Sequence, residues 1–297
     1  MIRVTQLSDT HFADDGVRSH SGIGYDTDAS FAAVCEHLRA QDDLPRDFTI
    51  VTGDIADHGR PSEYRKAAAR LGALADLVGP VLALPGNHDF HAPFEAMLPS
   101  PTLAMPRTLR VRDWLFLFTD TNRDGRTRDA NGHLRDRDDR IETNGNFDEA
   151  ELAWIDDVIE ASDAAHVFVW GHHPPFIPGA FRVAQYDERF TNLVRRQPRV
   201  RGFGGGHVHT DAVIDGAGVP VHVCPSLTFN FDLTSLTALP PGYRTYEFHD
   251  DGTIVSECRL VDGPAWPRFP LPEAGVRYLR GELSWDAMLA QLGAPGR

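Results

Sequence analysis

The sequence predicts an α/β core in which β-sheets stack face to face with helices on the outside. Two observations lead there. The first half alternates short apolar, β-prone runs with segments of helical period, and the last third is mainly strand-like runs joined by tight turns. A third observation points to where function sits: the apolar runs end abruptly in glycine, aspartate, asparagine or histidine.

Taken in order, residues 2–8 read as a buried strand that stops at polar residues. Residues 30–40 place Phe31, Val34, Cys35 and Leu38 at helical spacing. Residues 48–52 form a second buried strand ending in Gly53-Asp54. Residues 61–78 form a helix, with Pro61 in its first turn and Tyr64, Ala67, Ala68, Leu71, Leu74 and Leu77 as an apolar stripe. A third strand, 81–84, runs into Gly86-Asn87-His88-Asp89. Residues 108–111 and 114–119 suggest a hairpin about Arg112-Asp113. A helix over 147–161 has Asp148 as its N-cap, with Glu151 completing a capping box. A strand over 166–170 ends in Gly171-His172-His173, residues 192–196 are helical, and a strand over 200–203 ends in a glycine run before His207. Segments 212–215, 219–223, 244–249 and 253–259 read as antiparallel strands, with Asp251-Gly252 the clearest turn. The tail from Pro264 is proline-rich and ends in a short amphipathic helix over 284–292, suited to pack on the core or on a second subunit in a homodimer. The expected division is therefore a catalytic domain over 1–262, carrying a charged insert over 123–142, and a tail over 263–297.

Composition narrows the function. Of 297 residues, 29 are Lys or Arg and 43 are Asp or Glu, a formal charge of −14. Such a chain repels nucleic acid backbones and anionic membranes at long range, so neither is expected as a partner. A small phosphate substrate stays open, because a metal cluster outweighs net charge locally. Cys35, Cys224 and Cys258 are far apart and form no CxxC pair, the start of the chain lacks the features of a signal peptide, and no run of 18 apolar residues occurs. A cytoplasmic protein with reduced thiols is the expectation.

The strand exits carry the chemistry. Asp9 and His11 follow the first strand, Asp54 the second, Asn87-His88-Asp89 the third, His172-His173 the fourth, and His207 and His209 the fifth. Ligand sites of open α/β sheets lie outside the carboxyl ends of strands, so these loops can converge. In extended chain, residues i and i+2 point to one side, so Asp9 with His11 and His207 with His209 can each aim into one cleft. Asp9, His11, Asp54, Asn87, His172, His207 and His209 are too many for one open catalytic metal, which takes about three or four ligands. They suit two metals sharing a carboxylate, roughly 3.5–4 Å apart.

The order D-x-H, G-D, G-N-H-D, G-H, G-H-x-H over residues 1–260 resembles the calcineurin-like metallophosphoesterase superfamily. Within it the text QLSDTHF, VTGDIADHG, LPGNHDF, HHPPF and GGHVHT is most similar to bacterial class III cyclic-nucleotide phosphodiesterases and glycerophosphodiesterases. The resemblance implies a four-layer αββα sandwich of two mixed sheets, with the metal site at the carboxyl edge of the strands. It implies that Asp9, His11 and His209 hold a first metal, that Asn87, His172 and His207 hold a second, and that Asp54 bridges them. The metals would be divalent or trivalent manganese, iron or zinc. A bridging hydroxide would attack phosphorus in a small phosphodiester, cyclic nucleotides first among them. His88 would contact a phosphate oxygen or protonate the leaving alkoxide, with Asp89 orienting it. Phosphomonoesters, phosphoproteins and glycerophosphodiesters are the alternative substrates, and a non-catalytic scaffold on the same fold is the alternative of another class. His173, Asn122 and Arg123 are further candidates for substrate contact. The insert over 123–142, dense in aspartate and arginine, departs from the family and leaves the pocket wall open.

Overall fold

The computed structural model describes residues 1–14, 26–41, 46–90, 94–96, 98, 103–122, 127–128, 134–135, 145–177 and 184–292. Its strands are β1 (Ile2–Leu7), β2 (Phe48–Thr52), β3 (Val81–Leu84), β4 (Leu103–Ala104), β5 (Thr108–Val111), β6 (Trp114–Phe118), β7 (Thr127–Arg128), β8 (Leu134–Arg135), β9 (His166–Trp170), β10 (Val200–Gly205), β11 (Ala212–Gly216), β12 (Val219–Val223), β13 (Asn230–Asp232), β14 (Thr237–Leu239), β15 (Gly242–Phe248), β16 (Ile254–Leu260) and β17 (Phe269–Pro270). Its helices are α1 (Thr27–Arg39), α2 (Pro61–Val78), α3 (Glu149–Ala161), α4 (Ala184–Arg196), α5 (Glu273–Leu279) and α6 (Trp285–Gln291).

Two six-stranded mixed sheets form the centre, in the orders β16-β15-β1-β2-β3-β4 and β11-β12-β10-β9-β6-β5. In the first, β1, β2, β3 and β4 run parallel, and β15 and β16 join antiparallel at one side. In the second, β12, β10, β9 and β6 run parallel, and β11 and β5 close the edges antiparallel. Alternation along each strand sorts its side chains. Ile2, Val4, Phe48, Ile50, Leu82 and Leu84 meet Trp114, Phe116, Phe118, Phe168 and Trp170 between the sheets. Leu7, Val51, Val81 and Ala83 face outward against Val34, Leu38, Tyr64 and Leu71 of α1 and α2. Leu115, Val167, Val169 and Val221 face outward against Ile155 and Ile159 of α3 and Tyr186 and Phe190 of α4. The result is the four-layer αββα sandwich.

Several local expectations change. Helix α1 begins earlier than its apolar spacing suggests, because the Asp26 carboxylate accepts from the Ala29 amide and caps it. Asp148 caps α3 as expected, its carboxylate accepting from the Glu151 amide, and the Glu151 carboxylate also accepts from the Asp120 amide and pairs with Arg107. Helix α4 starts well before residue 192. The tail holds two short helices rather than one. Strand β17 pairs with β14, and Leu271 and Leu279 pack on Phe229 and Phe231. In the insert, Thr127–Arg128 pairs with Leu134–Arg135, and the rest, Arg123 included, lies outside the described residues.

Phe168 is fully buried between the sheets, whereas Val213 on the edge strand β11 is 56% exposed. Phe168→Ala is expected to lower the unfolding free energy by about 3–5 kcal/mol, and Val213→Ala to leave it within about 0.5 kcal/mol. Urea denaturation of the two variants measures the contrast.

Candidate metal centre

Loops leaving β1, β2, β3, β9 and β10 bring all seven expected ligands into one cleft. Asp9, His11 and His209 offer atoms within 4.8 Å of one another, as do Asp9, Asp54 and His172, and as do His172, His173 and His207. Asp54 lies between the groups, with Oδ2 3.7 Å from His11 Nε2 and 3.3 Å from His172 Nε2. Asn87 Oδ1 is 3.0 Å from His172 Nε2.

The pairs Asp9/His11 and His207/His209 share a side for a reason other than strand alternation. All four residues have positive φ (53°, 44°, 67° and 50°), as does Asp54 at 50°. The chain has left the strand, and left-handed backbone turns each ligand back into the cleft. Amide bonds hold that path: Asp9 donates to Gly53 O at 3.0 Å, His11 to Asp54 O at 2.9 Å and Phe12 to Ile55 O at 2.9 Å. Gly53, at φ 86°, lets the β2 and β3 loops touch, since a Cβ there would lie 2.7 Å from Gly86 Cα and 2.5 Å from His172 Nδ1.

The donor set fits metal ions. His172 Nδ1 is 2.8 Å from Thr52 O and His209 Nδ1 is 2.8 Å from Phe229 O. Each Nδ1 therefore carries a ring hydrogen, which leaves Nε2 as the atom able to present a lone pair to a metal. His172 Nε2 then faces two oxygens, of Asp54 and Asn87, while His209 Nε2 faces Asp9 Oδ1 at 3.4 Å and His11 Nε2 at 3.2 Å. Nitrogens and oxygens gathered at these distances need a proton or a metal cation between them. The proton affinities agree. Burial disfavours charge on His172, yet Asp54 beside it pushes the ring up to about 9. Burial opposes charge on Asp54 too, but His172 and His88 hold it well below the usual carboxylate range.

His88 and Asp89 part company. The His88 amide donates to Asp54 Oδ1 at 2.8 Å, and its Nδ1 is 2.7 Å from Asp57 O. Burial lowers its pKa to about 4, so the ring is neutral near pH 7. Asp89 does not orient it. The Asp89 carboxylate accepts instead from the amides of Ile55, Ala56 and Gly86 and from the Tyr64 hydroxyl, at 2.9–3.1 Å. It ties the β2 and β3 loops together and onto α2, and the expected positioning role passes to the Asp57 carbonyl. Asp57 also places Oδ1 3.2 Å from His11 Nδ1, a carboxylate behind a ligand histidine. Sequence reasoning missed Asp57; its signal was a second aspartate three residues beyond Asp54.

His173 is buried beside the cleft, its ring centroid 4.4 Å from that of His207, with Nδ1 2.8 Å from Thr121 Oγ1. Asn122 Nδ2 donates to Gly86 O at 2.8 Å and Pro85 O at 3.2 Å, so this side chain braces the Asn87 loop.

Asp89→Ala leaves buried donors on three elements without an acceptor. It is expected to lower the stability of metal-free protein by at least about 3 kcal/mol, read by denaturant unfolding. Asp57→Asn should leave that stability nearly intact but weaken one of two bound metals by roughly 10–100-fold, read by calorimetric titration with Mn²⁺.

The profile of the calcineurin-like phosphoesterase family matches residues 2–211, which include all seven expected ligands and His88. The chain is 29% identical over 279 residues to a 3′,5′-cyclic adenosine monophosphate phosphodiesterase CpdA of Vibrio vulnificus, an alignment covering 90% of this chain and 93% of that protein. It is 31% identical over 218 residues to the glycerophosphodiester phosphodiesterase GpdQ of Enterobacter lignolyticus, covering 69% and 70%. Its fold is similar to that of a dimetal phosphatase from Danio rerio, with a TM-score of 0.60 at 16% identity over 88% of this chain and 96% of that one. With a converging Asp/His donor set at the carboxyl edge of two stacked sheets and a profile match over most of its length, the chain belongs to the calcineurin-like phosphoesterase family of metal-dependent phosphoester hydrolases.

Proposed function

We propose that this protein is a two-metal phosphodiesterase acting on small diesters, with 3′,5′-cyclic nucleotides as its substrates. The observation that carries the reading is the Asp54 carboxylate, set between two donor groups while also accepting from the His88 amide. Asp9, His11 and His209 would hold one cation, Asn87, His172 and His207 the other, and Asp54 would touch both. Manganese, iron and zinc all suit these oxygen and imidazole donors. When bound, the cations supply Lewis acidity toward a phosphate oxygen and lower the pKa of the attacking water.

The chain's own groups do the rest. The Asp57 carbonyl fixes the His88 ring through Nδ1. Nε2, without a hydrogen in the neutral ring, would take up the proton given off by the attacking water and then donate it to a phosphate oxygen or to the leaving alkoxide. The Thr52 and Phe229 carbonyls keep the Nε2 lone pairs of His172 and His209 aimed inward. His173 lines the cleft next to His207 and would meet the substrate from that side. The name of the Vibrio vulnificus relative supports the cyclic-nucleotide choice, because that alignment runs nearly end to end in both chains. The identity to GpdQ favours a second reading, a glycerophosphodiester substrate at the same site.

Purified protein loaded with Mn²⁺ and offered 3′,5′-cyclic AMP, a glycerophosphodiester, bis(p-nitrophenyl) phosphate and p-nitrophenyl phosphate separates these readings. Diester hydrolysis led by cyclic AMP is the expected outcome. No turnover of any of them with manganese, iron, zinc or cobalt would refute the enzyme reading. Asp54→Ala should bind neither metal tightly and lose nearly all turnover. His88→Ala should keep both metals while kcat falls by about 10²–10⁴.

A further inference from the structure

Residues 225–231 lie between β12 and β14, contain none of the expected ligands, and bond to two of them, Asp9 and His209. Ser226 Oγ donates to Asp9 O at 3.0 Å, and Phe229 O receives His209 Nδ1 at 2.8 Å. Both contacts fall on the first group of donors. The segment is otherwise anchored by backbone bonds on either side of the cleft: Leu227 donates to Ser8 O, and Phe231 donates to His209 O.

One side chain shapes this segment. Asn230 is fully buried, and its amide is satisfied on every face. Its Oδ1 accepts from the Ser226 amide at 2.6 Å, while its Nδ2 donates to Ser226 O at 2.8 Å and Pro240 O at 2.7 Å. The side chain thus closes a loop back onto Ser226 and pins that loop to the start of β15. Thr228 completes it, donating its amide to Ser226 Oγ at 2.9 Å with its own hydroxyl 2.8 Å from the same oxygen. Ser226 Oγ accepts from the Thr228 amide, so its hydrogen is free to point at the Asp9 carbonyl. Asp9 needs such support, because its backbone is left-handed.

We propose that Asn230 is a positioning residue for one metal of the two: by latching residues 226–230 it sets both the backbone of Asp9 and the ring orientation of His209. The second donor group makes no direct bond to this latch, and its link to it is the His207 amide, which donates to the Asp9 carboxylate. His172 is oriented by Thr52 O, and Asn87 sits on a loop braced by Asn122 and Asp89. The inference rests on the two-metal reading above and on no particular substrate.

The test is calorimetric titration of metal-free protein with Mn²⁺, in two backgrounds that isolate each site. With Asn87→Ala removing a second-site ligand, adding Asn230→Ala should weaken the remaining site by about 10–100-fold. With His209→Ala removing a first-site ligand, adding Asn230→Ala should change the remaining affinity by less than about twofold. Equal weakening in both backgrounds, or none in either, overturns the proposal, since a merely structural role would move both sites together. Ser226→Ala keeps the Asn230 latch but deletes the bond to Asp9 O. It decides the matter if Asn230→Ala does not fold, with the same selective loss expected and an unselective or absent loss counting against it. The unsubstituted chain is titrated alongside. Failure to bind two Mn²⁺ there would refute the two-metal reading, a result separable from failure of the latch.

Discussion

The cleft depends on a buried polar seam where the carboxyl ends of two separate sheets meet. Asp9, at the end of β1, accepts from the His207 amide at 3.1 and 3.2 Å, and His207 follows β10 of the other sheet. Beside it Gln6 Nε2 donates to Gly205 O at 3.0 Å, and His172 Nδ1 donates to Thr52 O at 2.8 Å. Each bond crosses from one sheet to the other. Neither sheet alone carries a complete donor set, so the aromatic core between them sets ligand geometry as well as stability. A shift of one sheet past the other would separate Asp9 and Asp54 from His172, His207 and His209.

That seam concentrates groups of one polarity. Carboxylates, an amide oxygen and imidazole lone pairs face inward, and left-handed backbone at five of the ligands adds on the order of 1–3 kcal/mol of strain each. The surrounding layer absorbs these costs. Asp57 stands behind His11, carbonyls fix the rings of His88, His172 and His209, and Asp89 gathers amides from two loops. Because the rings are fixed from behind, their Nε2 atoms cannot turn away from the carboxylates and from one another, so a proton or a metal cation has to sit among them. The geometry of the donor groups is thus set as much by the layer behind them as by the donors themselves.

How much of this could be read from sequence follows the same division. The strands around the site were legible because each is a short apolar run cut off by polar residues, as at Leu7-Ser8-Asp9 and Val51-Thr52-Gly53. The seven expected ligands were legible as residue types at those cuts, and the structure gathers them in one cleft. Their shared direction was expected for the wrong physical reason, since alternation in extended chain does not operate where φ is positive. Asp89 misled because the resemblance implied a role beside His88, while a turn sends its carboxylate to the amides instead. Asp57 was overlooked, and Tyr64 and Asn230 were illegible as site residues. Tyr64 reads as one more member of an apolar stripe on α2, yet its hydroxyl meets Asp89 at 3.0 Å. Asn230 reads as part of an aromatic run, and only the return of β15 supplies the Pro240 carbonyl that fixes its role.

The tail extends the point to longer range. Phe229 and Phe231 bury their rings against Leu271 and Leu279, which lie beyond the matched stretch 2–211. Their backbones meanwhile hold His209 and Thr210, through Phe229 O and Phe231 O. One short segment is therefore gripped from two sides, by apolar contact with the tail and by hydrogen bonds with the cleft. Rings on one side and carbonyls on the other belong to the same residues, so a displacement of the tail has to move the carbonyl that sets the His209 tautomer. The C-terminal residues are in this way mechanically joined to a ligand of the site, although no residue among them approaches the metal-binding atoms in sequence.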